Sequence, residues 1–222
     1  MNFLPTEFFS ALFSIIIIDL VLAGDNAIVI GLAARNLPPK NQKAVIAWGT
    51  LGAVIIRAAA TLVVVWLLKI PGLLLAGGLV LIWMAYKLLV EEKKHDVQSG
   101  ATMWAAIRTI IIADAVMGLD NVLAVAGAAH GSFLMVVIGL LVSVPIVVWG
   151  STLVIKVIEK YPVIIYIGSA VIAYTAGKMI TDEPFLKPFF EENSYLKWLL
   201  IIGIVIGVLI TGKIKKQKKV VS

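Results

Sequence analysis

The chain has no cysteine and only two histidines among its 222 residues. The first absence excludes disulfides, thiolate zinc sites and iron–sulfur clusters. It leaves the redox compartment open. Charge is scarce as well: Asp, Glu, Lys and Arg make up 14% of the chain against 61% hydrophobic residues. Soluble domains carry about a quarter charged residues, so a separate soluble domain is not expected. No Gly-x4-Gly-Lys-Ser/Thr phosphate loop occurs, and ATP-driven pumping by this chain alone is not expected. Residues 1–7 lack Lys and Arg, which argues against a cleaved signal peptide.

What remains is a succession of long apolar runs. Seven are legible, at about 8–34, 44–68, 72–90, 104–129, 133–156, 162–181 and 196–212, each close to the ~20 residues that a helix needs to cross a bilayer. The fold class is therefore all-α: one membrane domain with seven transmembrane helices, multi-pass in the cell membrane. The net charge of +6 does not point to nucleic acid, because Lys213, Lys215, Lys216, Lys218 and Lys219 form a short basic tail, at 213–222. Such a tail anchors topology beside anionic lipid. One set of connections holds Arg35, Lys40, Lys43, Lys93, Lys94, Lys156, Lys160 and that tail. The opposite set holds only Lys69, Lys187 and Lys197, beside Asp182, Glu183, Glu191 and Glu192. The basic side is expected to be cytoplasmic, with the N-terminus outside and the C-terminus inside.

Two of the apolar runs repeat each other. Ser14–Arg35 carries Asp19, Asp25 and Asn26; Thr109–His130, 95 residues on, carries Asp114, Asp120 and Asn121. Aligned without gaps they match at nine of 22 positions, both aspartates and the asparagine included. More faintly, Lys69–Leu88 parallels Lys160–Met179, matching Pro71 to Pro162, Gly77 to Gly168 and Lys87 to Lys178. Each unit thus has three helices, the first about 8–90 and the second about 104–181, joined by a charged cytoplasmic loop at 91–103. An odd number forces the second unit to enter from the opposite face, which makes a 3+3 inverted repeat plus one extra helix at about 196–212. Inverted repeats place a site near mid-membrane between the halves. The extra helix carries Gly203 and Gly207 four apart, with Thr211 continuing the spacing, a pattern that permits a homo-oligomer contact.

An ionised carboxylate near the bilayer centre costs at least ~2.5–3.5 kcal/mol. Four of them at one repeated spacing need a use, and the simplest is to hold a cation. On a regular helix Asp19 and Asn26 fall nearly in line, whereas Asp25 points about 120° away. Either Asp25 and Asp120 face separate partners, or the helix is distorted at Gly24 and Gly118 so that all three residues converge; distortion is the favoured expectation. Carboxylates and amide carbonyls are hard donors suited to Mg²⁺, Mn²⁺ or Ca²⁺. Met117 either lends a soft contact or fills a gap, and gap filling is the more usual role. Of the two histidines, His95 falls in the cytoplasmic loop and His130 at the outer end of the fourth span.

Three basic residues are candidates for charge pairing or coupling. Arg57 sits mid-segment in the second span, opposite an apolar stretch in the other repeat, and is expected to pair with one of the aspartates. A coupling role, occupying the carboxylates when metal is absent, is the alternative. Lys87 and Lys178 lie near helix ends, where snorkelling accounts for them; Arg108 reads as an anchor.

Asp19–Ile30 (DLVLAGDNAIVI) and Asp114–Ala126 (DAVMGLDNVLAVA) resemble the paired motifs of the TerC family of integral membrane proteins, and within it the YjbE-like subgroup. The likeness runs over the whole length. It implies a Mn²⁺ exporter with Asp19, Asp25, Asn26, Asp114, Asp120 and Asn121 as ligands, and no tightly bound cofactor. It also leaves room for a membrane partner that supplies metal to exported metalloproteins or the secretion machinery. An enzyme is not expected. An intramembrane aspartyl protease would need one aspartate per helix and a Gly-x-Gly-Asp segment, which is absent. Purely structural aspartates are the remaining alternative. Carboxylates that bind metal also bind protons, so metal–proton exchange is a natural coupling.

Overall fold

The computed structural model describes residues 5–34, 36–90, 102–143, 160–161 and 163–221. Among these residues all regular structure is helical: α1 (Pro5–Ala34), α2 (Pro39–Leu67), α3 (Leu73–Val90), α4 (Met103–Met117), α5 (Leu119–Ala128), α6 (Phe133–Ser143), α7 (Val163–Thr181), α8 (Lys187–Glu192) and α9 (Ser194–Val221). Four stretches are long and apolar enough to cross a bilayer: Lys40–Leu67, Leu73–Val90, Val163–Thr181 and Ser194–Lys215. Phe8–Leu22 and Phe133–Ser143 are shorter apolar helices. The chain is thus an all-helical, multi-pass membrane protein. The expected loop at 91–103 falls mostly outside the described residues, as does the end of the expected span at 133–156.

Local chemistry accounts for the helix ends. Pro39 starts α2 five residues before the apolar run begins, because the first helical position needs no backbone N–H. Thr102 caps α4 by accepting from the N–H of Ala105 at 3.2 Å. Residues 182–195, which connect the expected spans at 162–181 and 196–212, include the short helix α8 with Pro188 in its first turn. The tail at 213–222 was read as separate from the last helix; instead α9 runs on to Val221. Lysine is a good helix former, and hydropathy registers only where the apolar window stops.

Helices α3 and α7 run antiparallel and pack along their length. Gly77 and Gly78 lie against Met179 and Ile180 at one end, and Ser169 Oγ donates to the Ala85 carbonyl at 2.8 Å toward the other. Exchanging the two helices by the 91-residue shift that matches Gly77 to Gly168 pairs position 78 with 169 and 85 with 176. At that related place a Cβ on Gly78 would stand 2.9 Å from the Ala176 carbonyl oxygen. One crossing thus has Ser on carbonyl, its counterpart Gly on carbonyl. Helices α2 and α4 run parallel, Gly49 against Ile110 and Gly52 against Ile111.

A large core joins α1, α3, α5, α6, α7 and α9 through Ile15, Ile18, Leu81, Val125, Met135, Ile172 and Val208. A smaller one, Ala33, Ala34, Val45, Ala106 and Ile110, closes the end where α1 meets the start of α2 and α4. Trp48, Trp66, Trp83, Trp104 and Trp198 are all exposed. An apolar exterior around a bundle with polar residues inside is the arrangement a lipid solvent requires.

Candidate functional site

Asp19 lies midway along α1 and is fully buried; Asp114 on α4 and Arg57 on α2 are each 8% exposed. Ile55 and Ile56 beside Arg57 face outward, so the stripe that carries the arginine is the inward one. Its Nη1 donates to Asp19 Oδ1 at 2.9 Å, and its Nη2 donates to Asp114 Oδ1. One guanidinium therefore bridges two carboxylates from different helices, 95 residues apart in sequence. Arg57 was expected to pair with one aspartate; it holds the equivalent aspartate of each repeated segment. The doubled Asp motif was the available signal, since residues at corresponding repeat positions meet near a shared centre.

The bridge leaves polar atoms over. Asp19 Oδ2, Arg57 Nε and the Asn121 amide nitrogen are buried with no hydrogen-bond partner among the described residues. Unpaired buried polar groups cost ~1–3 kcal/mol each, and of these three atoms Asp19 Oδ2 is the acceptor that the described residues leave unused. The peptide carbonyl of Arg57 accepts from Thr61 Oγ1 at 2.7 Å.

The expected distortion is present in one motif. Helix α4 ends at Met117 and α5 begins at Leu119, with Gly118 between them and its N–H bonded to the Asp114 carbonyl. A Cβ at Gly118 would collide with that carbonyl oxygen and come within 3.7 Å of Arg57 Nε. Glycine is thus required by close approach. In α1 the helix runs unbroken from Pro5 to Ala34, through Gly24. The side chains of Asp25, Asn26, Met117 and Asp120 lie outside the described residues. Of the six expected ligands, Asp19 and Asp114 come together, and Asn121 is buried on α5, 2% exposed. Among the described residues no group of three or more His, Cys, Asp or Glu side chains converges.

The two repeat-related lysines are placed apart from this site. Lys87 sits over the Trp83 ring at 4.8 Å. Lys178 lines a cavity of about 450 Å³ at the C-terminal ends of α2, α5 and α7, with Lys69, Lys187, Lys197, His130 and Asp182. Lys197 pairs with Asp182 at 2.7 Å. Burial, reinforced by the positive charge of Lys178, lowers His130 to a pKa of about 4. Beside this cavity Glu183, fully buried, accepts from the N–H groups of Gly72 at 2.8 Å and Leu75 at 3.1 Å. It caps the start of α3, where Gly72 has φ +91°. The Gly203–Gly207 face of α9 is open and borders an apolar groove lined by Leu79, Ile82, Trp83 and Tyr86.

The family model for the integral membrane protein TerC family matches residues 4–220. The chain is 47% identical over 208 residues to the membrane protein YjbE of Bacillus subtilis (strain 168), covering 93% of this chain and 95% of that one. It is 23% identical to the membrane protein YceF of the same organism, over 93% of this chain and 83% of the relative. It is also 24% identical to the protein YegH of Escherichia coli (strain K12), over 70% of this chain but only 33% of YegH. No solved structure matches. A match along nearly the whole length, to the family model and to a relative at 47% identity, places this chain in the TerC family of integral membrane proteins.

Proposed function

We propose that the chain is a secondary transporter that exports a divalent metal ion, Mn²⁺, through a mid-membrane oxygen site. One observation carries the reading: an aspartate from each repeated motif reaches the same buried point, where Asp19 Oδ2 has no hydrogen-bond partner among the described residues. Two carboxylates and an amide are hard donors, and two carboxylates neutralise one divalent ion. The reading assigns Asp25, Asn26 and Asp120 to the same ligand set, from the motif they share. Manganese, rather than magnesium or calcium, follows the resemblance to the family and not the donor chemistry.

The reading includes seven spans in a 3+3 inverted repeat plus α9, in the plasma membrane, with the N-terminus outside. The antiparallel α3–α7 pair and its matched Ser169–Ala85 and Gly78–Ala176 crossings support the inversion. Export of an uncompensated divalent ion against an inside-negative potential costs ~4.6 kcal/mol per 100 mV. Exchange for protons, taken up by the same carboxylates, supplies that driving force.

The test is transport by the purified full-length protein in liposomes, offered Mn²⁺, Mg²⁺, Ca²⁺ and Zn²⁺ under imposed pH gradients. The reading expects Mn²⁺ flux that depends on the gradient and is lost in Asp19→Asn and Asp114→Asn. Absence of flux for every ion would overturn transport; flux of Mg²⁺ or Ca²⁺ in preference would overturn the ion assignment.

A further inference from the structure

Resting on that reading, we propose that Arg57 is a tethered cation that competes with the transported metal for Asp19 and Asp114 and must leave before the ion can bind. Its two terminal nitrogens occupy one oxygen of each carboxylate, the same two-armed bridge a divalent ion would make between α1 and α4. The occupancy is imperfect. Asp19 Oδ2 and Arg57 Nε are both buried and unpartnered among the described residues, although guanidinium and carboxylate are able to pair two bonds to two. A bound ion would engage the idle oxygen, so exchange of arginine for metal relieves a defect that the resting site carries.

No aromatic or long side chain flanks Arg57 three or four positions away along α2. Helical side chains lean toward the N-terminus and lie over residues three and four positions back. From Arg57 that direction holds Val54 and Ala53, then Thr50, whose hydroxyl is buried with no partner among the described residues. The next residue on the stripe in the other direction is Thr61. Withdrawal along its own helix would therefore pass only Ala, Val and Thr side chains.

The consequence is a rule for the empty transporter. With both carboxylates ionised and no metal, the site without Arg57 would hold two uncompensated buried charges, which the bilayer interior opposes. With Arg57 in place one negative charge remains, which a single proton taken up by the pair would neutralise, and the empty site can then pass through a closed state. Arg57 therefore licenses the metal-free half of the cycle, which net export needs and metal-for-metal exchange does not. A structural arginine would make no such distinction.

The experiment compares full-length wild type, Arg57→Gln and Arg57→Lys in liposomes, measuring equilibrium Mn²⁺ binding, net Mn²⁺ transport and Mn²⁺–Mn²⁺ exchange. Arg57→Gln is expected to bind Mn²⁺ at least tenfold more tightly, to keep exchange, and to lose net transport tenfold or more. Arg57→Lys, a point charge that bridges two carboxylates poorly, is expected to fall between the two. Weaker binding by Arg57→Gln, or an equal loss of exchange and net transport, would overturn the proposal. If Arg57→Gln does not fold, Arg57→Lys decides: binding no tighter than wild type overturns it. Wild-type protein that neither binds nor moves Mn²⁺ would instead overturn the transporter reading on which it rests.

Discussion

Arg57, Asp19 and Asp114 form a buried triad in which one cation serves two anions, and that ratio sets what substitution does. Removing one partner of a buried ion pair costs ~3–5 kcal/mol because a charge is left uncompensated. Arg57→Leu is therefore expected to lower the unfolding free energy of the metal-free protein by an amount of that order, and its thermal midpoint with it. The combination with Asp19→Asn and Asp114→Asn should recover most of the loss, as thermal unfolding in detergent would show. His130 gives a pH signature of opposite character. Its pKa is about 4 in the fold and ~6.5 unfolded, so between those values the unfolded chain binds more protons. The stability due to neutral His130 is complete above pH ~6.5 and is lost as pH falls toward 4. A His130→Gln variant should show a flatter dependence of its unfolding midpoint over that window. The pairing of Asp19 with Asp114 was legible from the repeat alone. The double engagement of Arg57 was not, because sequence distance carries no information on which residues of α2 face the seam between α1 and α4.

Helices α3, α7 and α9 test whether glycine serves contact or only breadth of composition. A Cβ at Gly168 would meet Val21 at 2.6 Å, and at Gly78 it would press on backbone. Gly168→Ala and Gly78→Ala should each cost ~1–3 kcal/mol through overpacking. At Gly203 and Gly207 a Cβ meets nothing within 4 Å, so alanine there should be neutral or stabilise by up to ~1 kcal/mol through helix propensity. Unfolding in detergent separates the two classes. Destabilisation at Gly203 would show instead that this face is covered in the assembled protein. The four helices long enough to cross a bilayer, within α2, α3, α7 and α9, were readable because burial in lipid demands long hydrophobic runs. Their ends were not. Pro39 and the lysines after Gly212 belong to helices on grounds of backbone geometry and propensity, to which hydropathy is blind. Glycine in the motifs was read as a licence for distortion at both Gly24 and Gly118. Gly118 is pressed by a carbonyl and there the helix breaks, whereas α1 runs on through Gly24.

For the whole molecule, the contacts divide the bundle differently from the sequence repeat. The repeat groups α1 to α3 against α4 to α7, yet α3 and α7, from opposite repeats, are packed along their length and joined by the Ser169–Ala85 hydrogen bond. A cross-linker between Ala85→Cys and Ser169→Cys, simple to interpret in a chain without native thiols, should leave Mn²⁺ flux intact. Loss of flux on cross-linking would show that these helices slide past each other during transport. The buried carboxylate of Glu183 points the same way: it belongs to the turn after α7 but holds the first amides of α3. In the proposed transport cycle a clasp of that kind would fasten α3 and α7 into one stator, against which the aspartate-bearing helices would be the rotor. The frontier of motion would then run beside α1, α2 and α4, through the arginine bridge itself, and the load-sensing charge and the mechanical seam would be the same place.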